Sequence, residues 1–161
     1  MEISMSLLAK YLIVFGMSMV PVVELRGAIV LAAAYGLDPV TSYIACVIAN
    51  ILPVPFLILF VRPVFEWMKK HSERLRNIAE KLEAKAHDKA GTIKKYEMLG
   101  LFLFVAIPLP GTGAWTGSLI AAVLGMRIKH SFPMIALGVM TAGIIMTLGA
   151  FGIVGVFANL L

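Results

Sequence analysis

Residues 21–36, PVVELRGAIVLAAAYG, place an acid, an arginine and a glycine directly behind a proline in an otherwise apolar stretch. The same pattern, called the repeated frame below, recurs eighty-nine positions later as residues 110–125, PGTGAWTGSLIAAVLG. Both stretches open with proline, close with glycine and follow an apolar run. We therefore predict that the chain consists of two related halves.

The composition indicates a membrane protein. Hydrophobic residues make up 60% of the 161 residues, against roughly half in soluble domains, and the mean hydropathy is strongly positive. Residues 66–97 hold nine of the 14 Lys and Arg and six of the nine Asp and Glu. The net charge of +5 is therefore a juxtamembrane property, and we predict no nucleic-acid partner.

The sequence lacks the motifs of several enzyme and metal-site classes. The single cysteine, Cys46, leaves no partner for a disulfide within the chain and no Cys-rich metal site. The three histidines are scattered without metal-ligand spacing, and no Walker A loop, HExxH motif or nucleophile motif is present. We predict that the protein is not an enzyme and that it uses no cofactor or metal.

The first repeat, residues 1–66, is predicted to contain a re-entrant helical hairpin at about 5–36 and a transmembrane helix at about 40–62. The apolar run before the hairpin's proline has sixteen residues. At about 1.5 Å per residue it falls short of the roughly 30 Å hydrocarbon layer. Pro53 and Pro55 should kink the transmembrane helix, because each removes a hydrogen-bond donor and clashes with the preceding turn.

The second repeat, residues 96–161, follows the same order, with a hairpin at about 98–125 and a transmembrane helix at about 131–155. Residues 67–95 join the repeats. They are polar, but apolar residues recur at helical spacing, namely Leu75, Ile78, Ala79, Leu82 and Ala86. This pattern predicts a charged amphipathic linker helix on or near the membrane surface; a solvated connector is the alternative.

The distribution of positive charge predicts the topology. Cytoplasmic loops are enriched in Lys and Arg, so the linker 67–95 should lie in the cytoplasm, on the inner face of the plasma membrane. If each hairpin enters and leaves on one side, the halves are inverted and Arg127 and Lys129 also lie inside. Fully spanning hairpins would place both outside, against the rule. We therefore predict an all-α membrane protein with an inverted structural repeat, a recurrent plan among transporters.

The first hairpin carries charge where charge is costly. Its candidate substrate-binding residues are Pro21, Glu24, Arg26 and Gly27. A carboxylate or guanidinium at the centre of a spanning helix costs at least about 2.5 kcal/mol on insertion scales. In the irregular turn after the proline, we expect Arg26 to fix an anionic group and Glu24 to exchange a proton. A purely structural ion pair is the alternative.

The second hairpin offers a proline and glycine break in place of charge. Its candidate substrate-binding residues are Pro108, Pro110, Gly111, Thr112, Gly113, Trp115 and Thr116. The glycines leave backbone N–H groups accessible, and the threonines supply hydroxyls. The next short helix directs its positive end towards the break. With the arginine of the first hairpin, this favours an anion such as a phosphate head. Glycines that only permit tight packing are the alternative.

The segments PVVELRGAI and PLPGTGAWTG resemble those of the small multidrug export protein family, and the likeness covers nearly the whole chain. That family resembles the wider DedA/VTT membrane transporter superfamily, whose members are pictured with two opposed re-entrant hairpins and act as lipid transporters. The resemblance implies a proton-linked or passive translocator of a phosphate-headed lipid, with the acid at Glu24 and its basic partner at Arg26. DedA-type proteins also have arginines in the second hairpin, where this chain has Gly, Thr and Trp.

Three functions remain open at this point. The first is a secondary transporter or flippase that moves an anionic, phosphate-headed lipid or small amphiphile through a midplane site between the hairpins, with or without proton coupling. The second is an exporter of lipophilic cations centred on Glu24. The third is a non-transporting membrane scaffold. Gly149, Gly152 and Gly155 favour close packing of the last helix, within the chain or in a homo-oligomer such as a dimer.

Overall fold

The structure is a computed structural model, and it describes residues 6–90, 97–109 and 111–160. All regular secondary structure in these ranges is α-helical, which confirms the predicted all-α class. The helices are α1 (Leu7–Met19), α2 (Glu24–Ala34), α3 (Pro39–Ile51), α4 (Val54–His71), α5 (Glu73–Ala90), α6 (Glu97–Ala106), α7 (Ala114–Val123) and α8 (Ile128–Leu160).

The chain divides into two compact units. The first unit comprises Met1–Leu52 and Val139–Leu161, and the second comprises Pro53–Gly138. These units are defined by contacts, whereas the two repeats are defined by sequence. The repeat boundaries at residues 1–66 and 96–161 and the linker at 67–95 therefore stay predictions, and residues 91–95 of that linker lie outside the described part of the chain.

In the first unit, α1, α2 and α3 pack against one another. The buried face of α2 contains Ala28 and Ala32, both at 0% exposure. Small residues four positions apart let helix backbones approach closely in a lipid environment. On α8, Gly143 lies against Tyr43 and Val47 of α3, where a methyl group would sit 2.7 Å from the tyrosine ring. Close helix packing at small residues therefore builds this unit.

In the second unit, α4 packs against α5 and α7, and α7 also packs against α5 and α6. Gly117 of α7 permits its contact with Val105 of α6, since a Cβ there would lie 2.7 Å from a valine methyl. The charged helix α5 buries Ala79 and Ala86, seven residues apart, but leaves Ile78 and Leu82 exposed. The amphipathic pattern of the predicted linker thus includes a small-residue packing face on the helix bundle.

The two short helices α2 and α7 end in the same way. At the end of α2, Leu37 N–H donates to the Ala32 carbonyl at 3.1 Å and Gly36 N–H donates to the Ala33 carbonyl at 3.0 Å. At the end of α7 the same two bonds join Met126 to Ala121 at 2.9 Å and Gly125 to Ala122 at 3.1 Å. Both glycines have a positive φ, 65° and 68°. Each helix therefore ends in a Schellman motif with glycine in the left-handed conformation.

The third helical stretch is interrupted where the sequence predicts a kink. Helix α3 ends at Ile51 and α4 begins at Val54, with Leu52 and Pro53 between them. Helix α4 continues to His71, beyond the predicted end near residue 62, and Ser72 ends it in an extended conformation. The reason is that Arg, Trp and Lys at an interface do not stop a helix, and no glycine lies between Val54 and His71.

Two helical stretches are long and apolar enough to cross a membrane. They are Pro39–His71, which contains α3 and α4, and Ile128–Ile153 within α8. Large apolar side chains on several helices are exposed, among them Leu8 at 69% and Leu148 at 72%. These features agree with the predicted membrane protein class. The inverted repeat, the re-entrant hairpins and the plasma membrane as location stay predictions.

Candidate functional site

The first candidate site is the break between α1 and α2. Helix α1 ends at Met19 and α2 begins at Glu24. Val20 N–H donates to the Met17 carbonyl at 3.3 Å, and Glu24 N–H donates to the Val20 carbonyl at 2.9 Å. The chain therefore crosses the break in a hydrogen-bonded turn, although Pro21 within it has no N–H to contribute.

Glu24 adopts a strained backbone conformation. Its φ is 50°, and among the described residues it is the only non-glycine residue with a positive φ. The residue is buried, with 6% of its surface exposed. A non-glycine residue held in a sparsely populated conformation costs of order 1–3 kcal/mol and persists only where the surrounding structure imposes it. A glutamate at this position is therefore costly both for its backbone and for its charge.

Arg26 forms an ion pair with Glu24, and the two side chains are called the buried pair below. The Arg26 Nη1 atom lies 3.8 Å from Glu24 Oε2, and the side chains are 17% and 8% exposed. Residues two apart do not face each other on a regular helix. The pair forms at this spacing because the left-handed backbone of Glu24 departs from helical geometry. The separation is longer than the 2.7–2.9 Å typical of a charge-assisted hydrogen bond.

Two further predicted residues flank the buried pair. Pro21 is exposed, whereas Gly27 is partly buried. A Cβ at Gly27 would collide with Val23 Cγ1, and Gly27 N–H donates to the Val23 carbonyl at 3.0 Å. Gly27 thus keeps the first turn of α2 tightly packed. Pro21, Glu24, Arg26 and Gly27 lie within seven consecutive residues of the first unit, and their role in binding a substrate stays a prediction.

The second candidate site is the break between α6 and α7, which lies in the second unit. Gly111 and Gly113 have positive φ values of 77° and 135°. The Thr112 hydroxyl lies within hydrogen-bonding distance of two carbonyls, that of Ile107 at 3.0 Å and that of Leu109 at 2.8 Å. This hydroxyl therefore stabilises the break itself. Pro110 lies outside the described residues.

The remaining predicted residues of this break differ in exposure. Pro108, Trp115 and Thr116 are partly buried, and Gly113 is buried. Ser118, one turn into α7, donates its hydroxyl hydrogen to the Ala114 carbonyl at 2.6 Å. The threonine and serine hydroxyls at positions 112 and 118 are thus engaged with the backbone. A shared cavity for the two breaks, and binding of substrate there, stay predictions.

The two breaks place positive φ at the same position of the repeated frame. With the offset of eighty-nine positions, Glu24 corresponds to Gly113, and both have a positive φ where a short helix begins. Glycine adopts this conformation without a Cβ penalty. The first half therefore has a glutamate where the backbone favours a glycine.

Sequence reasoning missed a buried polar network beside the first break. The Ser18 hydroxyl donates to the Cys46 carbonyl at 2.7 Å, and Asn50 Nδ2 donates to the Ser18 carbonyl at 2.8 Å. Ser42, on the same face of α3, is fully buried and its hydroxyl has no hydrogen-bond partner in the described structure. The sequence does show polar residues at 18, 42 and 50 within apolar helices. It does not show that residues on separate helices contact one another.

Comparisons with known proteins point to one family. Residues 24–145 match the family model described as "Putative small multi-drug export protein". This match covers more than half of the chain, begins at Glu24 directly after the first break, and includes the second break. A search of curated proteins and a search of solved structures gave no significant match. Within the described ranges, no three His, Cys, Asp or Glu side chains come together as a metal site requires.

Proposed function

The chain belongs to the small multi-drug export protein family, and from this membership we propose that it is a plasma membrane transporter whose exchange site is the buried pair of Glu24 and Arg26. The protein moves its substrate without converting it chemically. A single ion pair in the first unit binds and releases the substrate.

One observation carries this proposal. Glu24 is buried with φ 50° at the position where the second half has Gly113. A glycine at residue 24 would remove the backbone strain, and an apolar residue would remove the cost of a buried charge. Strain at a buried ionisable residue supports a functional role, because strained residues cluster at binding and switching sites. Ionisable residues inside membrane segments commonly mark substrate or proton pathways.

The proposed cycle uses proton exchange at Glu24. When its carboxylate is ionised, it neutralises the Arg26 guanidinium at 3.8 Å. Protonation removes that attraction, so the guanidinium then binds an anionic group of the substrate. Deprotonation restores the ion pair and expels the anion. The long separation within the pair favours such an exchange, since a short bidentate pair would be harder to open.

The substrate we propose is an anionic amphiphile, with a phosphate-headed lipid as the first candidate. The planar guanidinium of arginine matches phosphate geometry with two parallel hydrogen bonds. A second candidate is export of lipophilic cations, which the family description favours. In that case the Glu24 carboxylate binds the cation directly, and Arg26 competes with the substrate for it.

Transport by purified protein in liposomes tests the proposal. A short-chain fluorescent phosphatidic acid and ethidium serve as the anionic and cationic substrates, with and without a proton gradient. Under the first candidate, Glu24→Gln and Arg26→Ala both abolish movement of the phosphatidic acid. Under the second, only Glu24→Gln stops ethidium movement. If neither variant changes either flux, the protein acts as a scaffold and the proposal is wrong.

Two controls separate loss of function from loss of fold. Glu80→Gln and Arg74→Ala make the same chemical changes on the exposed face of α5, and they should leave both fluxes unchanged. A further variant, Glu24→Gly, introduces the residue type found at Gly113 and relieves the backbone strain of the positive φ. We expect it to fold at least as well as Glu24→Gln while transporting nothing. Transport by a well-folded Glu24→Gly variant would refute the assigned role of the carboxylate.

A further inference from the structure

A cavity opens in the second unit where α7 ends and α8 begins. Its volume is about 450 Å³, within the range of ordinary ligand pockets. The cavity is remote in sequence from the buried pair and shares no residue with either break. Its lining residues are Met98, Leu124, Gly125, Met126, Arg127 and His130.

The ionisable side chains that line this cavity are all basic. Arg127 and His130 contribute to its wall, and both are exposed. Neither takes part in an ion pair recorded among the described residues. Arg62 of α4 adjoins the same wall, since a Cβ built on Gly125 would lie 3.5 Å from both of its terminal nitrogens. Two basic side chains therefore line the cavity, and a third lies beside Gly125 in its wall.

Arg62 has a structural contact as well. Its Nη2 donates to the Val123 carbonyl at 3.3 Å, in the last turn of α7. A cation at that end of a helix is favourable, because the helix dipole places partial negative charge there. The charge of Arg62 is thus partly balanced by the α7 terminus. Arg127 and His130 instead lie beside the start of α8, where the helix dipole is positive.

In the equivalent turn of the first half, a carboxylate of the chain offsets the positive end of the following helix. Asp38, eighty-nine positions before Arg127, caps α3 by accepting hydrogen bonds from the N–H and the hydroxyl of Thr41, both at 2.7 Å. Arg127 occupies the matching position before α8, and its side chain has no acceptor atom. The start of α8 therefore concentrates positive charge that the first half offsets with a carboxylate.

From the cavity and its basic wall we infer a binding site for a phosphate group, with Arg127 as the main ligand and His130 as a second donor. The group belongs either to the headgroup of an anionic lipid or to a soluble phosphate. A lipid headgroup suits a pocket at the end of apolar helices, because basic pockets between such helices bind phosphate headgroups at the cytoplasmic surface. The apolar side chains of Met98 and Leu124 would contact its glycerol and upper acyl atoms.

Binding to the purified full-length protein in neutral detergent tests this inference. The probes are dioctanoyl phosphatidic acid and inorganic phosphate, each titrated separately. Arg127→Gln should weaken binding of the preferred probe by about tenfold or more, the usual effect of losing hydrogen bonds to a charged group. Lys129→Gln is the matched control, since Lys129 carries the same charge in the same turn but does not line the cavity. It should change binding by less than about threefold.

Each outcome decides the inference. Selective loss of phosphatidic acid binding in Arg127→Gln supports a lipid headgroup site. The same selectivity for inorganic phosphate, with no lipid binding, supports a soluble phosphate. Equal weakening by both glutamine variants would show only diffuse attraction and overturn the site, as would no binding of either probe. All titrations are also made in an Arg26→Ala background, which removes the phosphate ligand of the buried pair, so that failure of this inference and failure of the proposed function are distinguishable.

Discussion

The contact of α8 with α3 in the first unit makes a sharp stability prediction. In Gly143→Ala, the added methyl would lie 2.7 Å from Tyr43 Cε2 and 3.1 Å from both Tyr43 Cδ2 and Val47 Cγ2. Distances under 3.0 Å force a neighbour to move, and the tyrosine ring is held at its far end by a hydrogen bond from its hydroxyl to the Met140 carbonyl at 3.2 Å. The variant should therefore be destabilised.

Two opposing effects set the magnitude. Overpacking a close contact costs typically about 1–3 kcal/mol, while replacing glycine by alanine inside a helix gains up to about 1 kcal/mol. Gly149→Ala and Gly152→Ala on the same helix gain only the second effect, because nothing lies within 4 Å of a Cβ at either position. We expect Gly143→Ala to be less stable than these two controls by about 1–3 kcal/mol.

Unfolding of the purified protein in mixed micelles by increasing SDS measures these differences. A double-mutant cycle with Tyr43→Ala assigns the cost to the tyrosine contact, since most of the penalty of Gly143→Ala should disappear once the ring is removed. If Gly143→Ala were as stable as Gly149→Ala, the close approach of α8 to α3 would be refuted. An unchanged penalty in the Tyr43→Ala background would refute the role of the ring.

Three further predictions concern other parts of the chain. Asn50→Leu removes the donor to the Ser18 carbonyl and should lower the free energy of unfolding by about 1–3 kcal/mol; no loss in the SDS assay would contradict the buried bond. Hydrogen bonds from Thr41 lower the pKa of Asp38, so its stabilising effect should be full above roughly pH 4 and lost at lower pH, and Asp38→Asn should abolish that part of the pH dependence in thermal melts. In a Cys46→Ala background, single cysteines at residues 38 and 128 should be labelled by a membrane-impermeant maleimide from opposite faces, and labelling from one face would refute the inverted repeat.

Much of the helix layout could be predicted because strong local signals mark the ends of helices. Pro21 separates α1 from α2, Asp38 and Pro39 start α3, and Gly125, two residues after the last residue of α7, ends that helix. Each of these residues acts through its own backbone or its nearest neighbours. A single sequence is sufficient to recognise such signals.

The parts of the site that could not be predicted depend on tertiary structure. The positive φ of Glu24 is an unfavourable conformation imposed by packing, so residue type alone does not reveal it. The bond between Ser18 and Asn50 joins residues 32 positions apart on separate helices. The basic cavity also depends on residues that are distant in sequence, because Met98 lies at the start of α6 and Arg127 lies after the end of α7.

The repeated frame separates two kinds of sequence similarity in this chain. Gly36 matches Gly125 because both helices end in the same Schellman motif. Ala32 and Ala33 match Ala121 and Ala122, which are also buried, and small residues there allow close packing. These identities need no shared binding site. At Glu24 the two halves share a positive φ, 50° at Glu24 and 135° at Gly113, but they differ in conformation and in side chain. The helix ends are therefore what the halves have in common, whereas the charged side chains are confined to one of them. A cycle that depends on proton exchange thus has one titratable centre in the frame, and a second equivalent site is not required by the repeat.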